Sequence, residues 1–268
     1  MNEITYKLIF TKEESAAIRN LLEKGEAKGI SYKIDPGTDC GITCIRDGIL
    51  TGFMTVDCFS GKDIESAAII ENTDDWDSMT EVLIAHAKEL GAEQILFICD
   101  PNDTAVSRKL KSLGLRPSFS EYRMEFDAAA FSPAAISNVS IQKAIPSDTA
   151  YIKMLDEEVF GRSIDRISPQ DLNNTIIIMQ DHRPAGKLRA VEADGVYGIY
   201  GVIIDSKLRG QGIGAQALTL LLEKLRSLDA KSIYLEVDSG NPSAFHLYKK
   251  LGFRVTSEFC YYSCKLPT

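Results

Sequence analysis

Residues 209–215 read Arg-Gly-Gln-Gly-Ile-Gly-Ala, and residues 232–253 read SIYLEVDSGNPSAFHLYKKLGF. The first stretch follows a strand-like segment, 196–204, and precedes Ala217, Leu218, Leu221, Leu222, Leu225 and Leu228 at helical spacing. R-x-x-G-x-G therefore lies at a strand-to-helix junction. Its glycines remove side chains, so successive backbone N–H groups can face a ligand. The helix N-terminus adds partial positive charge and Arg209 adds a cation. This is a cradle for an anion such as a pyrophosphate; the plainer alternative is a tight turn with no ligand. It is neither G-x-x-x-x-G-K-[ST] nor a dinucleotide fingerprint, because the preceding strand ends a hairpin rather than opening a βαβ unit.

Working outward, 232–238 reads as a buried strand and 242–251 as a short helix with Pro242 in its first turn, where a missing N–H costs nothing. Gly252 ends it, and a strand runs from Phe253 towards Tyr262. Upstream, 176–180 and 187–192 read as strands around the turn 181–184, and 193–195 as a hairpin turn. Gly198 and Gly201 inside the third strand mark a bulge or a close backbone approach by a ligand. Residues 147–160 and 169–174 read as helices after a strand near Ile141.

The first half repeats the later part of this order. A helix over 76–90, a strand over 95–100, a helix opened by Asn102 and ended by Leu113-Gly114-Leu115, and a strand over 119–126 follow one another. AEQILFICD (92–100) matches AKSIYLEVD (230–238) in its first, fourth and last residues. Asn102 and Ala105 match Asn241 and Ala244, an offset of 139. The prediction is two related domains, 1–127 and 141–268, joined by the small, polar linker AAAFSPAAISNVS over 128–140.

R-x-x-G-x-G, a helix, LEV and N-x-x-A-x-x-L-Y-x-x-L-G-F together resemble the GNAT acetyltransferase superfamily over roughly residues 141–264. With the repeat, the whole chain resembles a tandem GNAT protein whose N-terminal copy is degenerate. The resemblance implies an α/β fold of the α+β type: two tandem GNAT-like domains, each a mixed, mostly antiparallel central sheet flanked by helices, packed as a pseudo-dimer in a monomeric chain. It implies acetyl-CoA as co-substrate, with the pyrophosphate on Arg209, Gly210, Gln211, Gly212, Ile213, Gly214 and Ala215. Pantetheine would pair with Val202, Ile203 and Ile204, where a splay from the next strand makes room. An amine of a small molecule or peptide would attack the thioester directly in a ternary complex, and backbone amides at the strand bulge would stabilise the oxyanion.

Two side chains suit proton transfer. Tyr248 shares a helix face with Ala244 and Leu251, and a phenol there can protonate the departing thiolate; the alternative is a core aromatic. Glu236 is placed similarly to the glutamate base of ribosomal-protein N-terminal acetyltransferases, and an apolar strand would raise its proton affinity. The alternatives for it are a solvated strand glutamate or an ion-pair partner. Asn241 suits either pantetheine or the helix N-cap.

The first half fails the same tests. Its loop reads ENTDDWD (71–77), with Glu71, Asp74, Asp75 and Asp77 and no glycine. Those carboxylates would repel a pyrophosphate, or simply suit a helix start. Ile98 matches Glu236, and Lys109 or Leu110 matches Tyr248, depending on a one-residue gap. The chain also stops soon after YYSCKL, so the usual last hairpin is short or missing. That leaves open how the sheet closes and which half completes the acceptor pocket.

Composition narrows the class. In 268 residues, 30 Lys and Arg face 38 Asp and Glu, a net charge of −8, which argues against nucleic acid as partner and suits a cationic substrate. No apolar run approaches the ~20 residues of a membrane span, and MNEITYKLIF carries Glu3 and Lys7 and lacks an apolar core, so a cytoplasmic protein without a secretory signal is expected. The six cysteines show C-x-x-x-C spacings, and His86, His182 and His246 are scattered. Free thiols and no metal are expected. From another functional class, a non-catalytic acyl-CoA-binding sensor or assembly module would keep the 209–214 cradle without needing Tyr248 or Glu236.

Overall fold

The computed structural model describes residues 2–7, 10–34, 40–58, 62–161 and 167–266. In chain order the elements are β1 (Asn2–Lys7), α1 (Lys12–Glu26), β2 (Gly41–Arg46), β3 (Ile49–Thr55), β4 (Asp57–Cys58), β5 (Asp63–Ile70), α2 (Trp76–Glu89), β6 (Gln94–Cys99), α3 (Thr104–Ser112) and β7 (Pro117–Phe126). There follow β8 (Val139–Lys143), α4 (Thr149–Phe160), α5 (Pro169–Asn174), β9 (Thr175–Gln180), β10 (Arg183–Ala193), β11 (Val196–Ile204), α6 (Ile213–Ser227), β12 (Ser232–Asp238), α7 (Pro242–Lys250) and β13 (Phe253–Lys265). Two compact units result. Unit 1 is Met1–Tyr122, Asp238–Gly240 and Ser257–Thr268; unit 2 is Arg123–Val237 and Asn241–Thr256.

In unit 1 the strand order is β1-β2-β3-β5-β6, with the 257–265 part of β13 beside β6. β5 and β6 are parallel; the β1–β2, β2–β3, β3–β5 and β6–β13 pairs are antiparallel. The β2–β3 hairpin turns on Asp47 and Gly48, both at positive φ (52° and 78°), as a tight two-residue turn matched to strand twist requires. α1 begins in a capping box in which Glu14 N–H donates to Thr11 and Thr11 N–H donates to Glu14. Its Ile18 and Leu21 pack with Phe53 and Ile69. The next residues along the strands, such as Met54 and Ala68, join Trp76, Met79 and Leu83 of α2 in a second cluster. These strands are therefore buried on both faces, and Thr43, Thr55 and Ser66 lie buried among their apolar residues.

In unit 2, β12-β11-β10-β9-β8 is the order, with β11 and β12 parallel and the rest antiparallel. The 123–126 part of β7 lies beside β12. α6 packs against β8 and β11, α4 against β10 and β11, and α5 against β10. Lys187 of β10 and Asp156 of α4 form a buried ion pair at 2.5 Å, and burial pushes the Lys187 ammonium down.

Three sequence expectations change. The compact units cut the chain elsewhere than 1–127 and 141–268, because β7 and β13 each contribute residues to both units. In unit 2 the Arg123–Phe126 part of β7 flanks β12, and β13 is one strand of 13 residues. Second, 128–140 is fastened to unit 2. Ala134 N–H donates to Thr219 (3.0 Å), Ser137 N–H donates to Gln216 (2.9 Å), and Arg226 lies over the Phe131 ring. Those bonds account for two polar residues buried on an apolar helix. Third, Asn102 does not open α3. Asp103 does, accepting from Val106 N–H at 3.0 Å, so the repeat runs at an offset of 138. Asp103 matches Asn241, and α3 and α7, nine residues each, begin and end in step.

Candidate functional site

The site in unit 2 begins with a strand that leaves its neighbour. β11 pairs with β12 only over Val196–Ile199 against Ser232–Leu235, although β11 runs on to Ile204 and β12 to Asp238. On its other edge β11 pairs with β10 through Ile204, but the register shifts between Tyr200↔Arg189 and Ile203↔Lys187. The extra residue falls where Gly201 has φ +53°. A bulge bends and twists its strand, and the outcome is an open edge along Val202, Ile203 and Ile204. Gly198, the other strand glycine, has a different reason. A Cβ there would meet the Tyr200 ring at 2.5 Å, so the glycine accommodates a side chain of its own strand.

Beyond that edge lies the glycine turn. Gly210 and Gly212 have φ of +78° and +75° with nothing near a would-be Cβ, so the backbone conformation requires glycine, not the space. Gly212 is the N-cap of α6 and brings no capping side chain, which leaves the first-turn N–H groups, including those of Ile213, Gly214 and Ala215, for a ligand. Arg209 is half-exposed. Its Nε donates to Ile204 O at 3.0 Å and its guanidinium lies 3.3 Å from Glu158. Gln211 accepts from Gln180 at 3.5 Å.

Tyr248 is buried on α7 with its ring edge-on to Phe253. Its hydroxyl makes no hydrogen bond among the described residues, and burial pushes the phenol up to about 12. It holds its proton at neutral pH. Asn241 caps α7, accepting from Ala244 N–H at 3.1 Å. Glu236, the first residue of β12 beyond the ladder, stands in an ion pair: its Oε1 is 3.2 Å from the Arg123 guanidinium. Arg123 in turn lies 4.5 Å over the Tyr234 ring, and the Tyr234 and Tyr200 hydroxyls share a 2.5 Å hydrogen bond. The sequence reading missed Arg123, Tyr200 and Tyr234. The glycine at 198, two residues before Tyr200 on the same face, was the available signal.

The equivalent positions of unit 1 are filled. At an offset of 138 the loop 71–77 matches 209–215. Asp75, matching Ile213, is 3% exposed and ion-paired to Arg46 at 2.7 Å; Trp76, matching Gly214, is 1% exposed. Glu71 pairs with Lys24 and Asp77 with Lys109, both at 2.8 Å. β3 and β4 pair with β5 in one unbroken register, Met54↔Ala68 and Asp57↔Glu65, so no bulge forms. Ser31–Lys33 lies where β5 and β6 part, with Ser31 N–H donating to Asp100 at 2.7 Å and a cavity of only 10 Å³ left among Tyr32, Ala67, Ala68 and Ile98. Tyr248 is matched by Leu110, fully buried, and Glu236 by Ile98.

All six cysteines are unbridged. Among the described residues no group of three His, Cys, Asp or Glu is placed to hold a metal, and no helix is long and apolar enough to cross a membrane.

Residues 144–253 match the sequence model of the acetyltransferase (GNAT) family. Spermidine N(1)-acetyltransferase of Escherichia coli (strain K12) is 32% identical over 85 residues, 31% of this chain and 46% of that protein. The chain spans less than half the length of the curated relatives first matched. A GCN5-related N-acetyltransferase from Sphaerobacter thermophilus has the same fold at a TM-score of 0.75 and 16% identity, over 99% of this chain and 96% of that one. A tandem GNAT protein from the clavulanic acid biosynthesis pathway aligns at a TM-score of 0.67 and 11% identity, over 99% of both chains.

Proposed function

We propose, from the premise that residues 144–253 are a domain of the GNAT acetyltransferase family, that this chain is an acetyl-CoA-dependent N-acetyltransferase whose chemistry resides in unit 2. The observation that carries the reading is the joint one of an open strand edge, Val202–Ile204, leading to an uncapped helix N-terminus behind two left-handed glycines. An extended amide chain ending in a pyrophosphate suits that pairing of edge and cradle. Arg209, Gly210, Gln211, Gly212, Ile213, Gly214 and Ala215 would hold the pyrophosphate, and the strand edge the pantetheine. Bound acetyl-CoA supplies an activated acetyl thioester.

The chain's own groups then handle protons. The amine nitrogen forms a bond to the acetyl carbon, the carbon–sulfur bond breaks, and the Tyr248 hydroxyl donates its proton to the departing sulfur. Glu236, directly or through water, accepts the proton that the nitrogen sheds. Backbone N–H groups at the Gly201 bulge would stabilise negative charge on the carbonyl oxygen. A small-molecule, polyamine or peptide amine each fits this chemistry, since fold does not choose the acceptor. Unit 1 is read as a degenerate copy whose cofactor place is filled by Asp75, Trp76 and the Ser31–Lys33 segment.

Thiol release from acetyl-CoA, followed across a panel of amines, tests the proposal. Turnover on at least one amine, with calorimetry giving one acetyl-CoA site per chain, is the expected result. Tight cofactor binding without turnover on any amine would overturn it and leave a non-catalytic binding module.

A further inference from the structure

The Arg123–Glu236 pair lies directly beside the place where the strands part. Its side chains are 17% and 10% exposed, so both charges are largely withdrawn from water. Such a pair contributes little net stability and is often replaceable by apolar residues, while removing one partner leaves a costly bare charge. Arg123 is further fixed by lying over the Tyr234 ring, which the Tyr200 hydroxyl holds by a hydrogen bond. The space cleared at Gly198 for the Tyr200 ring belongs to the same arrangement. Period-two alternation puts Tyr234 and Glu236 on one face of β12, with Ile233, Leu235 and Val237 on the other.

We propose that this constellation is the acceptor subsite and that it selects a zwitterionic amine, an amino acid or a similar compound with a carboxylate close to its amine. The proposal rests on the acetyl-transfer reading above. An ammonium arriving at Glu236 comes within a few ångströms of the Arg123 guanidinium. A simple cation or polycation meets that like charge at close range and in surroundings that screen it poorly. A zwitterion replaces the internal pair with two matched ones: ammonium to Glu236 and carboxylate to Arg123. The planar guanidinium, held by the ring beneath it, suits a carboxylate better than a lysine would.

Matched acceptors that differ only in the carboxylate test this: phenylalanine against phenethylamine, and lysine against cadaverine, with thiol release as the readout. The expected result is a kcat/KM on the order of 10–100-fold higher for the carboxylate-bearing member, the size of one charge-assisted contact. Arg123→Met should bring that ratio close to one while acetyl-CoA affinity by calorimetry stays unchanged, and Arg123→Lys should keep part of the preference. Equal or better turnover of the decarboxylated amines by the unmodified protein overturns the proposal alone, with acetyl transfer intact. A ratio unmoved in Arg123→Met also overturns it. Cofactor binding with no turnover on any amine overturns the acetyl-transfer reading itself.

Discussion

At the start of α2, unit 1 has Asp75 and Trp76; at the start of α6, 138 positions later, unit 2 has Ile213 and Gly214. Both helices follow a strand and both precede a parallel partner strand, so the backbone plan is shared. What differs is the occupant of the helix N-terminus. In unit 1 the N-cap residue is Asp75, buried and paired with Arg46 rather than bonded to the first-turn N–H groups, and the Trp76 indole is buried next to it. In unit 2 the same place carries the apolar Ile213 and the bare Gly214, behind an N-cap, Gly212, that brings no side chain. A helix N-terminus favours an anion in either case; on the proposed reading unit 2 leaves that place to the cofactor pyrophosphate, while unit 1 keeps acidic residues of its own there. The largest effect should therefore come from making unit 2 resemble unit 1. Gly212→Glu places a carboxylate at the cradle and an L-residue at φ +75°, and acetyl-CoA binding by calorimetry should fall below detection while the far-UV spectrum is retained. Binding that survives, or two sites per chain before substitution, would break the comparison.

The second contrast is Tyr248 against Leu110, which occupy the same position on α7 and α3. Tyr248→Phe should lower kcat by about 10²–10⁴-fold with acetyl-CoA affinity unchanged, the usual contribution of a placed acid. The pH dependence has a definite sign. Burial raises the phenol from about 10 to about 12, so the folded state holds the proton more tightly than the unfolded one. The associated stability is complete below about pH 10 and is lost as pH rises towards 12. Denaturant titrations at pH 9, 10.5 and 12 should show this loss smaller in Tyr248→Phe, and kcat should show no alkaline limb from this group below about pH 10. An alkaline limb near pH 9 that vanishes in the variant would contradict the assignment.

These two contrasts also show what a sequence can disclose. The elements of unit 2 from Thr175 onward were readable because alternation, the Asp194-Gly195 turn, the Pro242 helix start and the leucine spacing all agree on one reading. The glycine turn before α6 was readable because Gly210 and Gly212 stand at a strand-to-helix junction, and both have positive φ there. The first seventy residues of unit 1 gave nothing beyond isolated signals, although the Thr11–Glu14 capping box and the Asp47-Gly48 turn were present. The strands there are buried on both faces and mix Thr43, Thr51, Thr55 and Ser66 with apolar residues, so they show no clean alternation of period two. The exchange of 123–126 and 257–265 was not legible, since strand partners distant in sequence leave no local mark. For the same reason the Arg123–Glu236 pair was out of reach: the sequence allows Glu236 to be a base or an ion-pair partner, but 113 positions separate it from Arg123. The one-residue error at Asn102 has a simple physical cause, as Asn and Asp are equally good caps and stand side by side.

A smaller effect tests the built-in anion of unit 1. Arg46→Met leaves the Asp75 carboxylate, 3% exposed, without its cation. Because Arg46 itself is 37% exposed, solvent screening limits the loss, and a destabilisation of about 1–3 kcal/mol by urea titration is expected. Acetyl-CoA affinity should not change. A fall in cofactor affinity as large as that from Gly212→Glu would mean that unit 1 takes part in binding, and the contrast between the two loops would have to be abandoned.

The smallest effect comes from the matched caps, where the two units are most alike. Asp103 accepts from Val106 N–H at 3.0 Å and Asn241 from Ala244 N–H at 3.1 Å, each three residues on. As caps alone, Asp103→Ala and Asn241→Ala should each cost about 1 kcal/mol, and the serine variants only a few tenths, because a serine hydroxyl still reaches the same N–H. Asn241 has a second candidate role in holding pantetheine, and serine separates the two. A serine cap keeps the helix start but lacks the amide N–H₂ that would donate to a pantetheine carbonyl. If Asn241→Ser keeps both stability and acetyl-CoA affinity, the residue is a cap and the two units are equivalent at this position. If stability holds while affinity falls several-fold, Asn241 has taken on a cofactor contact that Asp103 has no occasion to make, and the division between the units extends from the loop to the helix that follows.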